Sequence, residues 1–204
     1  MQNIENLIFD LGGVILTLDM PRAEERFTAL GVKDYNTLFR RGNVSSFFKA
    51  YETGGITDAE FLEALRGLAG LPLTDEALIT SWNAMLGVFP QERIALLNEL
   101  RKRYRLFLFS NTNALHLTAF RKIYAATFNG NVFDDHFEKA YYSHLLGMRK
   151  PDKESYEHII NENRLDPPKT VFIDDSILNI EGAESAGLKG IHIKPGMSIL
   201  DIDL

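Results

Sequence analysis

Four short apolar runs constrain this chain more than any other feature: Asn6–Phe9, Arg105–Phe109, Thr170–Ile173 and Gly190–Ile193. They are apolar or β-branched without clean alternation, the pattern of strands buried on both faces. Lys139–Tyr142 is a weaker fifth. Helical patterns separate the runs at Leu115–Tyr124, Asp152–Asn163 and Ile177–Ala186. Strand alternating with helix predicts an α/β fold, a doubly wound parallel sheet with helices on both faces.

The interval from about Thr17 to Phe89 breaks the alternation and carries only helical signals. Pro21 can open a helix that Gly31 closes. Thr57 with Glu60 forms a capping box ahead of Phe61, Leu62, Leu65 and Leu68, and Gly70 stops that helix. Thr74 can cap another helix running through Trp82, and Pro90 starts one carrying Ile94, Leu97 and Leu100. The expected division is a core of residues 1–16 and 91–204 with a helical cap of residues 17–90 between its first two strands.

With 204 residues the chain can bury a sizeable core. Its 45% hydrophobic and 25% charged composition is that of an ordinary globular protein. The net charge of -6 disfavours nonspecific nucleic-acid binding, so an anionic substrate requires a local reversal of the field. The absence of cysteine excludes disulfides and thiolate metal sites and is compatible with the cytoplasm, the expected location. The first residues lack a signal-peptide pattern, and no apolar run reaches the ~18 residues of a membrane span. Neither a nucleic-acid nor a membrane partner is expected, and the chain is expected to be a monomer or a weak homo-oligomer.

Ligands of an open parallel sheet bind outside the carboxyl ends of its strands. Asp10 ends the first run and is followed by Gly12 and Gly13. Ser110-Asn111-Thr112-Asn113 ends the second, Asp174-Asp175 ends the Thr170 run, and Gly147-Met148-Arg149-Lys150-Pro151 precedes the Asp152 helix. Each has an ordinary reading on its own. Asp10 can make a turn, Ser110 can cap a helix, Lys150 can be a solvated charge, and the acidic pair can favour a helix N-terminus. Together they point elsewhere. Three crowded carboxylates repel unless a cation sits among them, and oxygen ligands suit Mg²⁺. A carboxylate can then attack phosphorus to form an acyl phosphate. Mg²⁺ and Lys150 offset the repulsion, while Ser110 and helix-start N–H groups hold the phosphoryl oxygens. Gly12 and Gly13 let backbone approach metal and phosphate closely.

These segments, with Asn179-Ile180-Glu181-Gly182-Ala183 after the acidic pair, resemble the four ordered motifs of the haloacid dehalogenase superfamily. The fold this resemblance implies is Rossmann-like with a helical cap after the first strand. Tyr51-Glu52-Thr53-Gly54-Gly55-Ile56-Thr57 is similar to part of that cap. The Ser-Asn-Thr-Asn run with His116 and the Gly-Met-Arg-Lys-Pro run resemble the bacterial α-glucose-1-phosphate phosphatases most. The resemblance implies Asp10 as nucleophile and metal ligand, the Gly12 carbonyl as a second ligand, Asp175 as a direct ligand, and Asp174 as a ligand directly or through water. It implies Ser110 and Asn111 as phosphate-binding, and Lys150 as the group that neutralises phosphate and orients Asp10.

The chain departs from the commoner phosphatase pattern at Gly12, where most members of the superfamily carry a second aspartate as acid and base. A good leaving group, such as an anomeric oxygen, needs less protonation, which favours a sugar 1-phosphate. His116 or Asp19 is a candidate replacement, against an ordinary packing role for His116. The expected activity is Mg²⁺-dependent hydrolysis of a small phosphorylated metabolite, such as a hexose 1-phosphate. A dehalogenase, which has no phosphate to neutralise, and a degenerate phosphate-binding protein are the alternatives. Phe39, Phe47, Phe48, Tyr51, Trp82 and Phe89 are read chiefly as core of the cap, with one or two facing a sugar. Arg40, Arg41 and Lys49 are read as solvated charges or ligand contacts.

Overall fold

The structure is a computed structural model describing residues 3–33, 35 and 46–203. Its sheet has five parallel strands: β1 (Asn6–Phe9), β2 (Arg105–Ser110), β3 (Lys139–Tyr142), β4 (Thr170–Asp174) and β5 (Lys189–His192). The spatial order is β3-β2-β1-β4-β5. Phe9 pairs with Leu108 on one side and Ile173 on the other, so β1 is central and flanked by β2 and β4. The chain winds outward from β1 through β2 to β3, then crosses to β4 on the opposite side. The topological switch therefore lies between β1 and β4, where open α/β sheets form their crevice.

The continuous apolar runs are explained by burial on both faces. Leu7, Phe9, Leu106, Leu108, Val171 and Ile173 belong to one core cluster, and Ile8, Phe107, Phe109 and Phe172 to the other. Helices α5 (Gln91–Leu100) and α6 (Ala114–Thr127) complete the first cluster with Ile94, Leu97, Leu100, Leu117, Phe120 and Tyr124. Helices α8 (Lys153–Asn163) and α9 (Ile177–Ser185) complete the second with Tyr156, Ile159, Ile180 and Ala183. The short α7 (Ser143–Leu146) follows β3.

A third cluster gathers residues of the helical interval, in α1 (Met20–Ala29), α2 (Ser46–Glu52), α3 (Asp58–Ala69) and α4 (Asp75–Asn83). The Thr57–Glu60 capping box is formed and the α3 helix ends at Gly70. Thr74 caps α4 by accepting from the Ala77 N–H. Tyr51 stacks on Phe61 with ring centroids 4.0 Å apart, and Phe61 meets Trp82 edge-on at 5.0 Å. Phe89 joins the first sheet cluster instead, packing on Tyr124 and Phe133.

The two connections between sheet and helical lobe run side by side. Thr17 donates from its N–H to the Val88 carbonyl, and its own carbonyl accepts from the Gly87 N–H. The Asp19 N–H donates to the Met85 carbonyl. A Cβ at Gly87 would sit 2.3 Å from Thr17 Oγ1, so only glycine permits this approach. No helix among the described residues is long and apolar enough to cross a membrane.

Candidate active site

The centre of the site is a buried ammonium between two carboxylates. Lys150 Nζ donates to Asp10 Oδ1 at 2.5 Å and to Asp174 Oδ2 at 2.6 Å. Lys150 is 1% exposed, and its ammonium lies near the faces of Phe109 and Phe172, 5.5 and 5.3 Å from their centroids. Burial works to lower its pKa, but the charges of Asp10 and Asp174 outweigh burial and hold it above the ordinary lysine value. The side chain is therefore a fixed cation.

Asp10 follows β1, with its N–H bonded to the Ile173 carbonyl of β4 at 2.9 Å. Burial pushes its carboxyl up to about 7; Lys150 opposes the rise, while Asp174 and Asp175 reinforce it. Asp174 is fully buried at the end of β4, and its oxygens are heavily used. Oδ1 accepts from the Ser176 N–H at 2.8 Å, and Asn179 Nδ2 reaches both oxygens at 3.0 and 3.1 Å. Asp175 is exposed at the surface, yet partial desolvation of its carboxyl by the groups around it, with the Asp174 charge, raises its pKa. The acidic pair does not cap α9; Ser176 occupies the N-cap position.

Asp10, Asp174 and Asp175 each offer an oxygen, and these atoms lie within 4.8 Å of one another. One lysine cannot balance three carboxylates, and their mutual repulsion adds to burial in raising Asp10 and Asp175. Among the described residues no hydrogen bond reaches the Gly12 carbonyl, two residues after Asp10. This all-oxygen set fits Mg²⁺. Gly13, at φ +77°, carries the backbone past it: a Cβ there would lie 2.4 Å from Asp175 Oδ2.

Ser110 ends β2, buried, and its hydroxyl makes no hydrogen bond among the described residues. The side chain of Asn111 is engaged differently from the phosphate contact that the sequence suggests. Its Nδ2 donates to the Lys150 carbonyl and its Oδ1 accepts from the Lys150 N–H, both at 2.9 Å. Each end of the amide thus makes one bond that fixes the segment carrying the lysine.

A cleft of about 280 Å³ opens above Leu11, Gly12, Ser110 and Asn111, between them and the helical lobe. Its far wall includes Leu18, Phe48, Glu52 and Trp82. Of the aromatics expected to include one or two facing a ligand, Phe48 and Trp82 line the cleft, and Lys49 is exposed. Phe39, Arg40 and Arg41 lie outside the described residues.

His116 lines the cleft but is committed to packing. Its ring stacks on Trp82 at 4.9 Å, Nδ1 accepts from Asn113 Nδ2 at 3.2 Å, and Nε2 donates to the Trp82 carbonyl at 3.2 Å. Burial lowers its pKa to about 4, against the pull of the Trp82 hydrogen bond. The ordinary reading of His116 is the one the structure supports. Asp19 caps α1, accepting from the Arg22 N–H at 3.1 Å.

Three contacts had no signal strong enough to assign them from sequence. Asn179 orients Asp174, Asn111 clamps Lys150, and Glu52 in α2 lies 2.9 Å from Arg149 Nη2 on the lysine loop. The last two join segments far apart in the chain, whereas Asn179 follows Asp174 by five residues, across the turn into α9. The nearest available clue to Glu52 was its place in the Tyr51–Thr57 stretch.

The model of the haloacid dehalogenase-like hydrolase family matches residues 4–187. The chain is 30% identical over 194 residues to D-ribitol-5-phosphate phosphatase of Bacteroides thetaiotaomicron, covering 95% of this chain and 93% of the relative. A crystal structure of an enzyme of this superfamily from the same organism, an aspartate-to-alanine mutant holding magnesium and inorganic phosphate, superposes with a TM-score of 0.89. It is 34% identical, with 95% of each chain covered. L-2-haloacid dehalogenase of Xanthobacter autotrophicus shares the fold at a TM-score of 0.63 and 18% identity, over 93% of this chain and 77% of that one. A match over nearly the whole sequence, on a sheet that gathers the acidic motif residues and the lysine at one edge, makes this chain a member of the haloacid dehalogenase-like hydrolases.

Proposed function

We propose that this protein is a Mg²⁺-dependent phosphatase of a small phosphorylated polyol or sugar, working through a phosphorylated Asp10. The observation that carries the reading is the placement of Asp10 beside Lys150 within the acidic cluster, directly before Leu11 and Gly12, which line a cleft of metabolite size. Asp10, Asp175 and the Gly12 carbonyl would hold the ion, with Asp174 bonded to Lys150, Ser176 and Asn179 and acting directly or through water. When bound, Mg²⁺ supplies the positive charge that keeps Asp10 ionised and screens the phosphoryl oxygens.

The chain's own groups do the rest. The Asp10 carboxylate attacks phosphorus, and the bond to the leaving oxygen breaks. Lys150 holds the attacking carboxylate and meets the charge developing on the phosphoryl group. The Ser110 hydroxyl and the N–H groups of Leu11 and Gly12, which donate no hydrogen bond among the described residues, bind phosphoryl oxygens. Asn111 contributes by holding the lysine segment, and through its backbone. Water then attacks the acyl phosphate and frees Asp10. Residues 17–90 act as a cap that closes over this centre and selects the substrate.

The relative that acts on D-ribitol 5-phosphate favours a sugar-alcohol phosphate, whereas motif likeness favours a hexose 1-phosphate. Both belong in one assay, with nucleotides and p-nitrophenyl phosphate, in Mg²⁺ and in EDTA. Turnover is expected in Mg²⁺, lost in EDTA, and at background in Asp10→Asn with the fold intact. Wild-type rates in Asp10→Asn would end the mechanism. Release of halide from a 2-haloacid without metal would favour the dehalogenase, and silence on every ester the binding protein.

A further inference from the structure

We propose that Glu52 is the acid–base group of this active site. It gives a proton to the leaving oxygen, then takes one from the water that releases phosphate. The inference rests on the phosphatase reading above. An alkoxide leaves phosphorus readily only as the alcohol, and water attacks readily only as it loses a proton. The residue two places after Asp10 is glycine and supplies neither service.

The titratable side chains on the described walls of the cleft are Tyr35, Glu52 and His116. His116 has both ring nitrogens engaged, one by Asn113 and one by the Trp82 carbonyl. Tyr35 is buried in the helical cluster against Phe27. Asp19 is committed to its helix cap. Glu52 remains, the last residue of α2, lining the same space as Gly12 and Ser110.

Its setting suits a group that must carry and release a proton. Glu52 Oε2 lies 2.9 Å from Arg149 Nη2, which ties the carboxyl to the segment bearing Lys150. Yet buried Oε2 accepts no well-aligned hydrogen bond, and buried Arg149 Nε donates none. The contact is a single one, not the bidentate pair that holds a carboxylate most firmly as an ion. Burial raises the Glu52 carboxyl, opposed by the charge and the hydrogen bond of Arg149 and then by the charge of Lys150. Among the described residues, His144 on α7, Asp58 and Glu60 on α3, and Lys49 and Tyr51 on its own helix are further charged and titratable groups of the elements packed on α2.

The step balances. As Asp10 forms its bond to phosphorus, the ester bond breaks and its oxygen takes the Glu52 proton. Glu52 is then a carboxylate beside Arg149. Water attacks phosphorus, its proton passes to Glu52, and the Asp10–phosphorus bond breaks. The sum is ester plus water to alcohol plus phosphate.

The test uses the full chain with Mg²⁺ on two substrates, ribitol 5-phosphate and p-nitrophenyl phosphate, for wild type, Glu52→Gln, Glu52→Asp and Arg149→Met. With ribitol 5-phosphate, kcat of Glu52→Gln is expected to fall about 10²–10⁴-fold, with loss of the alkaline limb of the kcat/KM profile. With p-nitrophenyl phosphate, whose leaving group needs no proton, the variant is expected to keep a fast burst of about one equivalent of nitrophenolate and then to turn over slowly. Glu52→Asp should recover part of the rate, and Arg149→Met should shift the alkaline limb upward. Wild-type kcat and pH profile in Glu52→Gln, or equal slowing of the burst and of ribitol 5-phosphate cleavage, overturns the assignment. If Glu52→Gln is as active as wild type while Asp10→Asn is dead, the assignment falls and the phosphatase reading stands. A wild type inactive on both esters overturns the two together.

Discussion

At the scale of single residues, the close approach of Gly13 to Asp175 is the tightest constraint in the site. Gly13 sits at φ +77°, and the space where a Cβ would stand is taken by Asp175 Oδ2 at 2.4 Å. Gly13→Ala is therefore strained twice, by its backbone conformation and by the displaced carboxylate. Destabilisation of about 1–3 kcal/mol in urea unfolding is expected, together with a weakened response to Mg²⁺. An alanine variant with wild-type Mg²⁺ affinity would show that Asp175 does not need its observed position. The glycine was legible in sequence as a point of close backbone approach; its partner was not, because Asp175 lies 162 residues further on. Lys150 repeats the lesson. Its buried position between Asp10 and Asp174 depends on Asn111 gripping its backbone from another strand end. A lysine beside proline carries no mark in sequence of being 1% exposed.

At the scale of elements, the strands and helices follow the local pattern because local physics sets them. The Lys139–Tyr142 run is a strand despite its polar start, since it lies at the sheet edge beside β2 with Lys139 exposed. The α3 helix starts at its capping box because Thr57 and Glu60 satisfy each other's backbone donors. The contact between α4 and α6 is set instead by packing, through the closed bonding of Trp82, Asn113 and His116. This junction carries a pH dependence. The His116 imidazole is held down to about 4 by burial, whereas the unfolded chain takes up its proton near 6.5. Its contribution to stability is therefore full above pH 6.5 and is lost as pH falls toward 4, on the order of 3 kcal/mol. Urea midpoints at pH 7 and pH 4.5 should converge more for His116→Gln than for wild type. Parallel pH dependences in the two proteins would mean that His116 protonates freely in the native state.

At the scale of the whole molecule, metal binding and stability are linked. Carboxylates that repel in the folded state are brought together by the sheet and scattered in the unfolded chain, so Mg²⁺ binds the native form preferentially. At 100 times its dissociation constant it should add about 2.7 kcal/mol, roughly 5–10 °C in Tm for a chain of this size. EDTA should reverse the shift and Asp175→Asn should erase it, read by thermal unfolding. An equal Tm with Mg²⁺ and EDTA would exclude the ion from this cluster. The sequence by itself determined the strand runs, the helix caps, the interruption after β1 and the motif residues at strand ends. Those are properties of neighbours in the chain, written in periodicity and turn chemistry. Only the tertiary structure decided which carboxylates face Lys150, that the Asn111 amide grips the Lys150 backbone, that His116 is packed, and that Glu52 lines the cleft. Each of these depends on burial and on contacts between residues tens to more than a hundred positions apart, and such separations leave no local pattern to read.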